Sequence, residues 1–363
     1  MRLNSEGRTA EDTAAGPLPP APFISIVVPV RNEERHLCAA LDALLAQGVP
    51  PASFEICVVD GDSDDGTPAL LEEYAQRSPC VRVLRNPRRG VAAGRNIGIG
   101  AARGELIVIV DGHSAVDGPL WLSKLAEVFA RTGADCVGYP QPLAVDGSRT
   151  QQAIALARSS PVGRHPGSFN YRTGDGFVPA YGAAVAYRAA VFAEIGEFDE
   201  SFETAEDMEL NHRVDRAGLR CFFTSSMCAR YQPRSTLAGL FRQQCRYGRG
   251  RMRLWRKHPA TFSLAAFLPA AFLLVAAASW LALPHGLVAA VAVGYLLAAS
   301  ISAAIAARRC GTPHLLPLIF LALVTVHAGV ACGSLWELAF GARTGTHPEE
   351  RRGAAAVSSV RRS

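Results

Sequence analysis

The segment "IVIVDGHS" (residues 107–114) is an apolar run that stops at Asp111, Gly112 and His113. Two other apolar runs stop in the same way, "FISIVVPV" at Arg31-Asn32-Glu33 and "FEICVV" at Asp60-Gly61-Asp62. Carboxylates and amides at such ends can accept hydrogen bonds from a ligand's hydroxyl and N–H groups, or balance a cation that holds an anionic ligand. Asp111 offers a hard oxygen and His113 an imidazole nitrogen, a donor set compatible with Mn²⁺ and less so with Mg²⁺. Gly112 gives the backbone room to approach a ligand. The competing explanation is a strand end followed by an ordinary turn.

Other stretches carry polar groups in the same spirit. "VVDGDSDDGTPALL" is dense in acids, but an EF-hand needs Gly at its sixth position and Glu at its twelfth. Counted from Asp60 those places hold Asp65 and Leu71, so a calcium loop is excluded. Asp60 and Asp62 then sit at a strand-to-helix handover, as ligand acceptors or as turn caps. "GRNIGIGAARG" matches neither glycine-rich phosphate motif. Its small residues suit close helix–sheet packing, and Arg95 and Asn96 stand out in it as donor-site candidates. Glu206-Asp207 opens an amphipathic helix. Thr204 and Asp207 have capping-box spacing, which is the alternative to a catalytic pair. The preceding "DGFVPAYGAAVAYRAAVF" is rich in Gly and Ala, as a wall close to a ligand would be. Gln243, Arg246 and Tyr247 lie on one helix, with chemistry for a diphosphate or for stacking on a sugar; an interfacial amphipathic helix is the other reading.

The elements that position these groups follow from periodicity. Apolar runs at 23–30, 54–63, 81–86 and 105–112 predict strands, and amphipathic or small-residue stretches between them predict helices. Thr67-Pro68 predicts an N-cap and first helical residue. Strands alternating with helices imply a parallel sheet whose ligands bind at the strands' C-terminal ends.

Beyond residue 260 the expected solvent is lipid. Hydrophobic content is 49% and charged content 19%, oily enough to warrant a search for membrane segments. Runs at 261–283, 286–307 and 315–340 each exceed the roughly 20 residues needed to span a bilayer. "RYGRGRMRLWRKH" (246–258) holds five Arg and one Lys just before the first run, and "ARRCG" separates the second from the third. The positive-inside rule puts both in the cytoplasm, with the catalytic half. Three spans would then place the basic tail outside, a conflict that a re-entrant or interfacial third segment removes. Net charge is only +5, and the basic stretch adjoins a span, so anionic headgroups are its expected partner and nucleic acid is not. The nine cysteines have no CxxC spacing, which argues against a zinc site or disulfide framework. Residues 1–22 have no continuous apolar core and are read as a disordered leader, not a signal peptide.

Taken in order, "ISIVVPVRNEERHL", "EICVVDGDSDDGT", "GVAAGRNIGIGAARGELIVIVDG", "YGAAVAYRAAVFAEIGEFDESFETAEDMELNHRV" and "QQCRYGRG" resemble family 2 glycosyltransferases of the GT-A fold, over residues 23–250. The nearest likeness is to bacterial membrane-attached exopolysaccharide enzymes of the succinoglycan type. The resemblance implies that Pro29, Val30, Asn32 and Glu33, with Asp60, hold the nucleotide. Asp111 corresponds to the region that binds the diphosphate through Mg²⁺ or Mn²⁺, Asp207 to the general base, and Gln243, Arg246 and Tyr247 to a QxxRW motif with Tyr for Trp. His113 departs from the family pattern, which has Asp there.

These readings combine into specific expectations. The fold is an α/β, Rossmann-like GT-A domain with a mostly parallel sheet (23–250). A basic interfacial segment with about three transmembrane helices (251–342) and a flexible tail (343–363) follow. The function is inverting transfer of a hexose from a nucleotide sugar, UDP-linked, to a polyprenyl-diphosphate-linked glycan at the bacterial inner membrane, beside other polysaccharide-assembly enzymes. The alternatives are a processive polysaccharide synthase, a polyprenyl-phosphate glycosyltransferase and an inactive sugar-nucleotide-binding scaffold.

Overall fold

The computed structural model describes residues 22–165, 167–264 and 285–341. The expected tail, the leader up to residue 21 and most of the first apolar run lie outside these residues.

The apolar runs form the strands expected of them. β1 (Ile24–Val30) and β2 (Phe54–Asp60) pair in parallel from Ile24↔Phe54 to Val30↔Asp60, so their polar ends arrive side by side. β3 (Val81–Arg85) continues the parallel set beyond β2, and β4 (Leu106–Ile109) joins the other edge of β1. Helices α1 (Leu37–Leu45), α2 (Thr67–Arg77) and α3 (Val91–Ala101) make the crossovers that parallel strands require. α3 lies close on the sheet because it lacks bulk: a Cβ on Gly98 would stand 2.3 Å from Val27 Cγ1. One expectation fails in detail. α2 is preceded by Gly66, and the Thr67 hydroxyl accepts the Glu33 N–H at 2.9 Å instead of capping its own helix. Thr67 thereby ties the end of β1 to the start of α2.

The second half comprises β5 (Ser114–Val116), α4 (Trp121–Thr132), β6 (Cys136–Gly138), α5 (Arg149–Ser159), β7 (Gly176–Val178), β8 (Ala184–Arg188), α6 (Ala189–Ile195), α7 (Glu206–Arg216), β9 (Cys221–Phe223), β10 (Ala229–Tyr231) and α8 (Leu237–Lys257). The eight-stranded sheet runs β3-β2-β1-β4-β8-β6-β9-β7. β8 is antiparallel to both β4 and β6, so a parallel half meets a mixed half beside β4. β5 and β10 form a separate antiparallel ribbon in which Ser114 faces Tyr231. That ribbon starts directly after His113.

α8 runs unbroken through residue 250. Two further helices, α9 (His285–Arg309) and α10 (Leu316–Phe340), match the second and third apolar runs, and both contain stretches long and apolar enough to cross a membrane. α10 does not stand free in that role: it packs along α8 through small residues. A Cβ on Gly333 would sit 2.0 Å from the Cys245 carbonyl oxygen, and one on Gly248 would sit 2.3 Å from that of Val330. Such approach is what small residues permit at helix crossings in lipid. Glu337, the one acid in the third run, is 1% exposed and lies 3.1 Å from Arg253, 3.2 Å from Arg256 and 3.6 Å from Arg249. Val293, Leu297 and Ile301 of α9 remain exposed, an apolar surface suited to lipid.

Candidate active site

A cavity of about 1270 Å³ opens over the ends of β1, β2 and β4, where Pro29, Val30, Glu33, Gly61, Asp111 and His113 line it. Asn32, Asp60 and Asp62 are near in sequence but do not line it. Asp60 accepts the Ser63 hydroxyl at 2.6 Å, and Asn32 donates to Asp64 at 2.7 Å. Asp62 pairs with Arg85 at 3.2 Å and also with Arg89. Asn32 and Asp62 both adopt positive φ, 56° and 59°, which short polar side chains tolerate better than others. Asn32 thereby ties the end of β1 to the loop after β2, and Asp62 ties that loop to the end of β3 and the turn beyond it. Gly112 also has a role other than the one expected: a Cβ there would stand 2.6 Å from Val30 Cγ1, so its smallness lets the two strand ends pack.

Arg95 joins the two acidic centres. From α3 it reaches Glu206 Oε1 at 2.8 Å and Asp111 Oδ1 at 3.3 Å, with its side chain 10% exposed. Burial and the adjacent Asp207 push the Glu206 carboxyl up to about 7, against the pull of Arg95. Asn96, its neighbour, faces elsewhere. It accepts the Phe198 N–H at 2.9 Å and donates to the Phe198 carbonyl and Glu200, holding the loop before α7.

That loop presents Glu206 and Asp207 to the cavity. The capping-box alternative is absent: Thr204 Oγ1 donates to the Arg246 carbonyl at 2.8 Å, and the residue before α7 is Ala205 with φ 66° and no side-chain cap. A non-glycine residue held in the left-handed region is a local cost that the surroundings must sustain. They do so through Glu209, fully buried in the first turn of α7, which binds Arg213 at 2.9 Å, Lys257 at 2.7 Å and His258 at 3.0 Å. The first turn of α7 is thereby locked to α8. Gln243, Arg246 and Tyr247 of α8 line the same cavity, with Gln243 2% exposed.

His113 Nδ1 lies 2.8 Å from Glu33 Oε1, and its ring meets Tyr231 edge-on at 4.4 Å. A carboxylate can only accept, so Nδ1 carries the proton in this pair and a neutral ring keeps its lone pair on Nε2. Nε2 is buried with no partner among the described residues. A ligating histidine fixed by a carboxylate through its other nitrogen has this arrangement. Among the described residues no three His, Cys, Asp or Glu groups are placed to hold a metal by themselves. Asp111 and His113 fit a cation that takes its remaining ligands from a diphosphate and water.

The cavity also contains residues that sequence reasoning passed over. Asn86 and Arg89 at the β1–β3 end, and Tyr139 and Gln141 beyond β6, line it without belonging to any motif. Arg158 of α5 and Arg251 of α8 line it further on, with Val291 of α9 and Val326 and Val330 of α10. Arg251 was visible only as part of a basic stretch; nothing in "ALARSS" marked Arg158.

Comparison with known proteins agrees with this geometry. A profile of Glycosyl transferase family 2 matches residues 25–195. Succinoglycan biosynthesis protein ExoA of Rhizobium meliloti (strain 1021) is 33% identical over 280 residues, 74% of this chain and 83% of that protein. A dolichyl N-acetyl-alpha-D-glucosaminyl phosphate 3-beta-D-2,3-diacetamido-2,3-dideoxy-beta-D-glucuronosyltransferase of Methanococcus voltae is 24% identical over 264 residues, 69% of this chain and 79% of that protein. Among solved structures, the mannosyltransferase PcManGT from Pyrobaculum calidifontis, in complex with GDP-Man and Mn²⁺, shares the fold at TM-score 0.56 and 20% identity, covering 89% of each chain. The ExoA match spans most of both proteins well above chance identity, and this chain therefore belongs to glycosyltransferase family 2, with the GT-A fold.

Proposed function

We propose that the protein moves a hexose from a UDP-linked donor to a lipid-linked saccharide, with inversion, during the synthesis of an exopolysaccharide or related cell-surface glycan. The observation that carries this reading is the single cavity that runs from the strand ends, past Glu206 and Asp207, to the apolar side chains of α9 and α10. The names of two relatives support it, one a succinoglycan biosynthesis protein and the other a transferase named for a dolichyl phosphate sugar. The basic residues at 246–258 and 308–309 favour a cytoplasmic catalytic domain at the bacterial inner membrane.

In this reading Pro29, Val30 and Glu33 border the nucleotide, while Asp111 and His113 face its diphosphate. A divalent cation held by Asp111 and His113 would neutralise charge building on the diphosphate as it leaves. Asp207 takes the proton from the acceptor hydroxyl. The hydroxyl oxygen bonds to the anomeric carbon as the bond from that carbon to the diphosphate oxygen breaks, and the nucleoside diphosphate departs. Glu206, tied to Arg95, lies beside the base and is not itself required to move a proton. Gln243, Arg246 and Tyr247 border the acceptor side.

The test is Asp207→Asn in the full-length protein, with Mn²⁺ and a panel of nucleotide sugars. Transfer to a polyprenyl-diphosphate glycan should fall by roughly a hundredfold or more, the usual worth of general-base help, while nucleotide affinity stays near the parent value. Equal loss of both would make Asp207 a structural residue, and failure of the parent protein to bind any nucleotide sugar would reject the assignment.

A further inference from the structure

α8 carries two sets of arginines with opposite fates. Arg249, Arg253 and Arg256 turn to α10, where Glu337 lies within 3.6 Å of each. Arg246 and Arg251 turn into the cavity, where Arg158, Arg164 and Arg234 join them from α5, from the segment after it, and from beyond β10. None of these five forms an ion pair with a carboxylate among the described residues. Tyr181, Tyr247 and Arg158 lie near Arg251, and the Arg158 guanidinium lies 6.0 Å from the centre of the Tyr247 ring. Burial presses the Arg251 guanidinium below its ordinary range, and Arg158 adds to that, against the pull of Tyr181, Tyr247 and Asp207. Arg164 and Arg246 are exposed while Arg158, Arg234 and Arg251 are half-buried, so the cost of gathering these charges falls mainly on Arg251, and an entering anion would relieve it. Guanidinium forks match phosphate oxygens in pairs.

The position of this collar indicates which anion. On one side lies Asp207, whose field reaches both Arg95 and Arg251. On the other side the cavity wall turns apolar, with Val291 and Tyr295 of α9 and Val324, Val326 and Val330 of α10. His327 fastens that wall to the collar, bonding the Val162 carbonyl at 2.9 Å through Nε2 and the Tyr295 hydroxyl at 2.9 Å through Nδ1. An occupant that satisfies this sequence of surfaces has a hydroxyl at Asp207, phosphate at the arginines and hydrocarbon at α9 and α10.

We infer that Arg158, Arg164, Arg234, Arg246 and Arg251 form a second anion site, separate from the donor's, that holds the phosphate or diphosphate group of a lipid carrier. This rests on the lipid-linked acceptor proposed above. It adds the residues that recognise the carrier's phosphate.

The experiment is calorimetric titration of the full-length protein with farnesyl diphosphate in the absence of divalent cation, beside farnesol, inorganic diphosphate and phosphatidylglycerol vesicles. Arg158→Gln combined with Arg251→Gln should weaken farnesyl diphosphate by about tenfold or more, the cost of losing two charge-assisted contacts, and leave farnesol unchanged. UDP affinity with Mn²⁺ should hold, which also reports an intact fold; if it does not, the corresponding Arg→Lys pair, keeping charge without the fork, should show a smaller loss in the same direction. Unchanged farnesyl diphosphate affinity overturns the site. Displacement of farnesyl diphosphate by UDP overturns it by assigning the arginines to the donor, and a loss confined to phosphatidylglycerol vesicles overturns it in favour of bilayer headgroups. Binding and transfer separate the two proposals. Arginine-dependent binding with transfer only to a soluble sugar rejects the lipid-linked acceptor and keeps the anion site. Transfer to a lipid-linked glycan with unchanged KM in the variant does the reverse.

Discussion

Arg95 and His113 illustrate how single side chains organise this cavity. Arg95 spans from Glu206 to Asp111, acids that would repel each other across a partly dry space, and its charge lets both remain near the reacting region. His113 pairs with Glu33 through Nδ1, which leaves Nε2 buried and without a partner among the described residues. Imidazole nitrogen suits Mn²⁺ better than Mg²⁺, whereas carboxylate oxygen suits both. His113→Asp should therefore raise the ratio of transfer rate in Mg²⁺ to that in Mn²⁺, measured at saturating donor and metal. A ratio that does not move would make His113 a hydrogen-bond donor to the diphosphate, or a bystander.

The elements that carry these side chains are held by networks remote from them. Glu55 on β2 is fully buried and binds Ser25 at 2.7 Å, Arg82 at 2.7 Å and Arg103 at 2.8 Å, which joins β1, β2, β3 and the end of α3. Burial alone would raise its pKa, but the hydrogen bonds from Arg82, Ser25 and Arg103 outweigh it and hold the carboxyl at about 2. A folded pKa below the unfolded one contributes stability that is full above the ordinary carboxylate range and is lost as pH falls from about 4.5 towards 2. Glu55→Gln should lower Tm at pH 7, by a stability loss on the order of 2 kcal/mol, and the gap to the parent should narrow as pH falls below about 4. Thermal unfolding from pH 7 to 3 checks this; a gap independent of pH would mean that packing, and not charge, is what the substitution removes. At this level much was legible beforehand. β1 and β3 fall within a residue of the runs expected at 23–30 and 81–86, and β2 starts where expected but stops at Asp60, three residues short of 63; β1 and β2 were legible because a buried parallel strand is apolar along most of its length. β6, β7 and β9 were not foreseen: each is three residues long, too short to show a period.

The molecule as a whole joins its α/β domain to two long apolar helices through one cavity. α10 is apolar enough to cross a membrane, yet it packs backbone to backbone on α8 and supplies a wall of the cavity. Disturbing that seam should act on the site from a distance. Gly333→Leu, whose Cβ would begin 2.0 Å from the Cys245 carbonyl, should force α8 and α10 apart. The expected result is a lower Tm and a higher KM for a lipid-linked acceptor, with nucleotide affinity retained. Gly294→Leu on α9, where a Cβ would meet nothing within 4 Å among the described residues, serves as the control. Loss of nucleotide binding in Gly333→Leu would show that α10 supports the fold of the donor side as well.

The sequence by itself determined what depends on neighbours along the chain. Strand and helix alternate with their own periods, polar residues end the apolar runs, and long uncharged stretches follow a basic one. Only the tertiary structure decided which polar ends face the cavity. Asp60 turned to Ser63 in its own loop and Asp62 to Arg85 and Arg89, while Asp111 met Glu206 through Arg95, 111 residues from Glu206 in the chain. The arginine collar likewise draws on α5, α8 and the segments after α5 and β10. The physical reason is range: hydrophobic period and turn chemistry act over a few residues, whereas ion pairing and the absence of a partner depend on what folding brings within 3–4 Å.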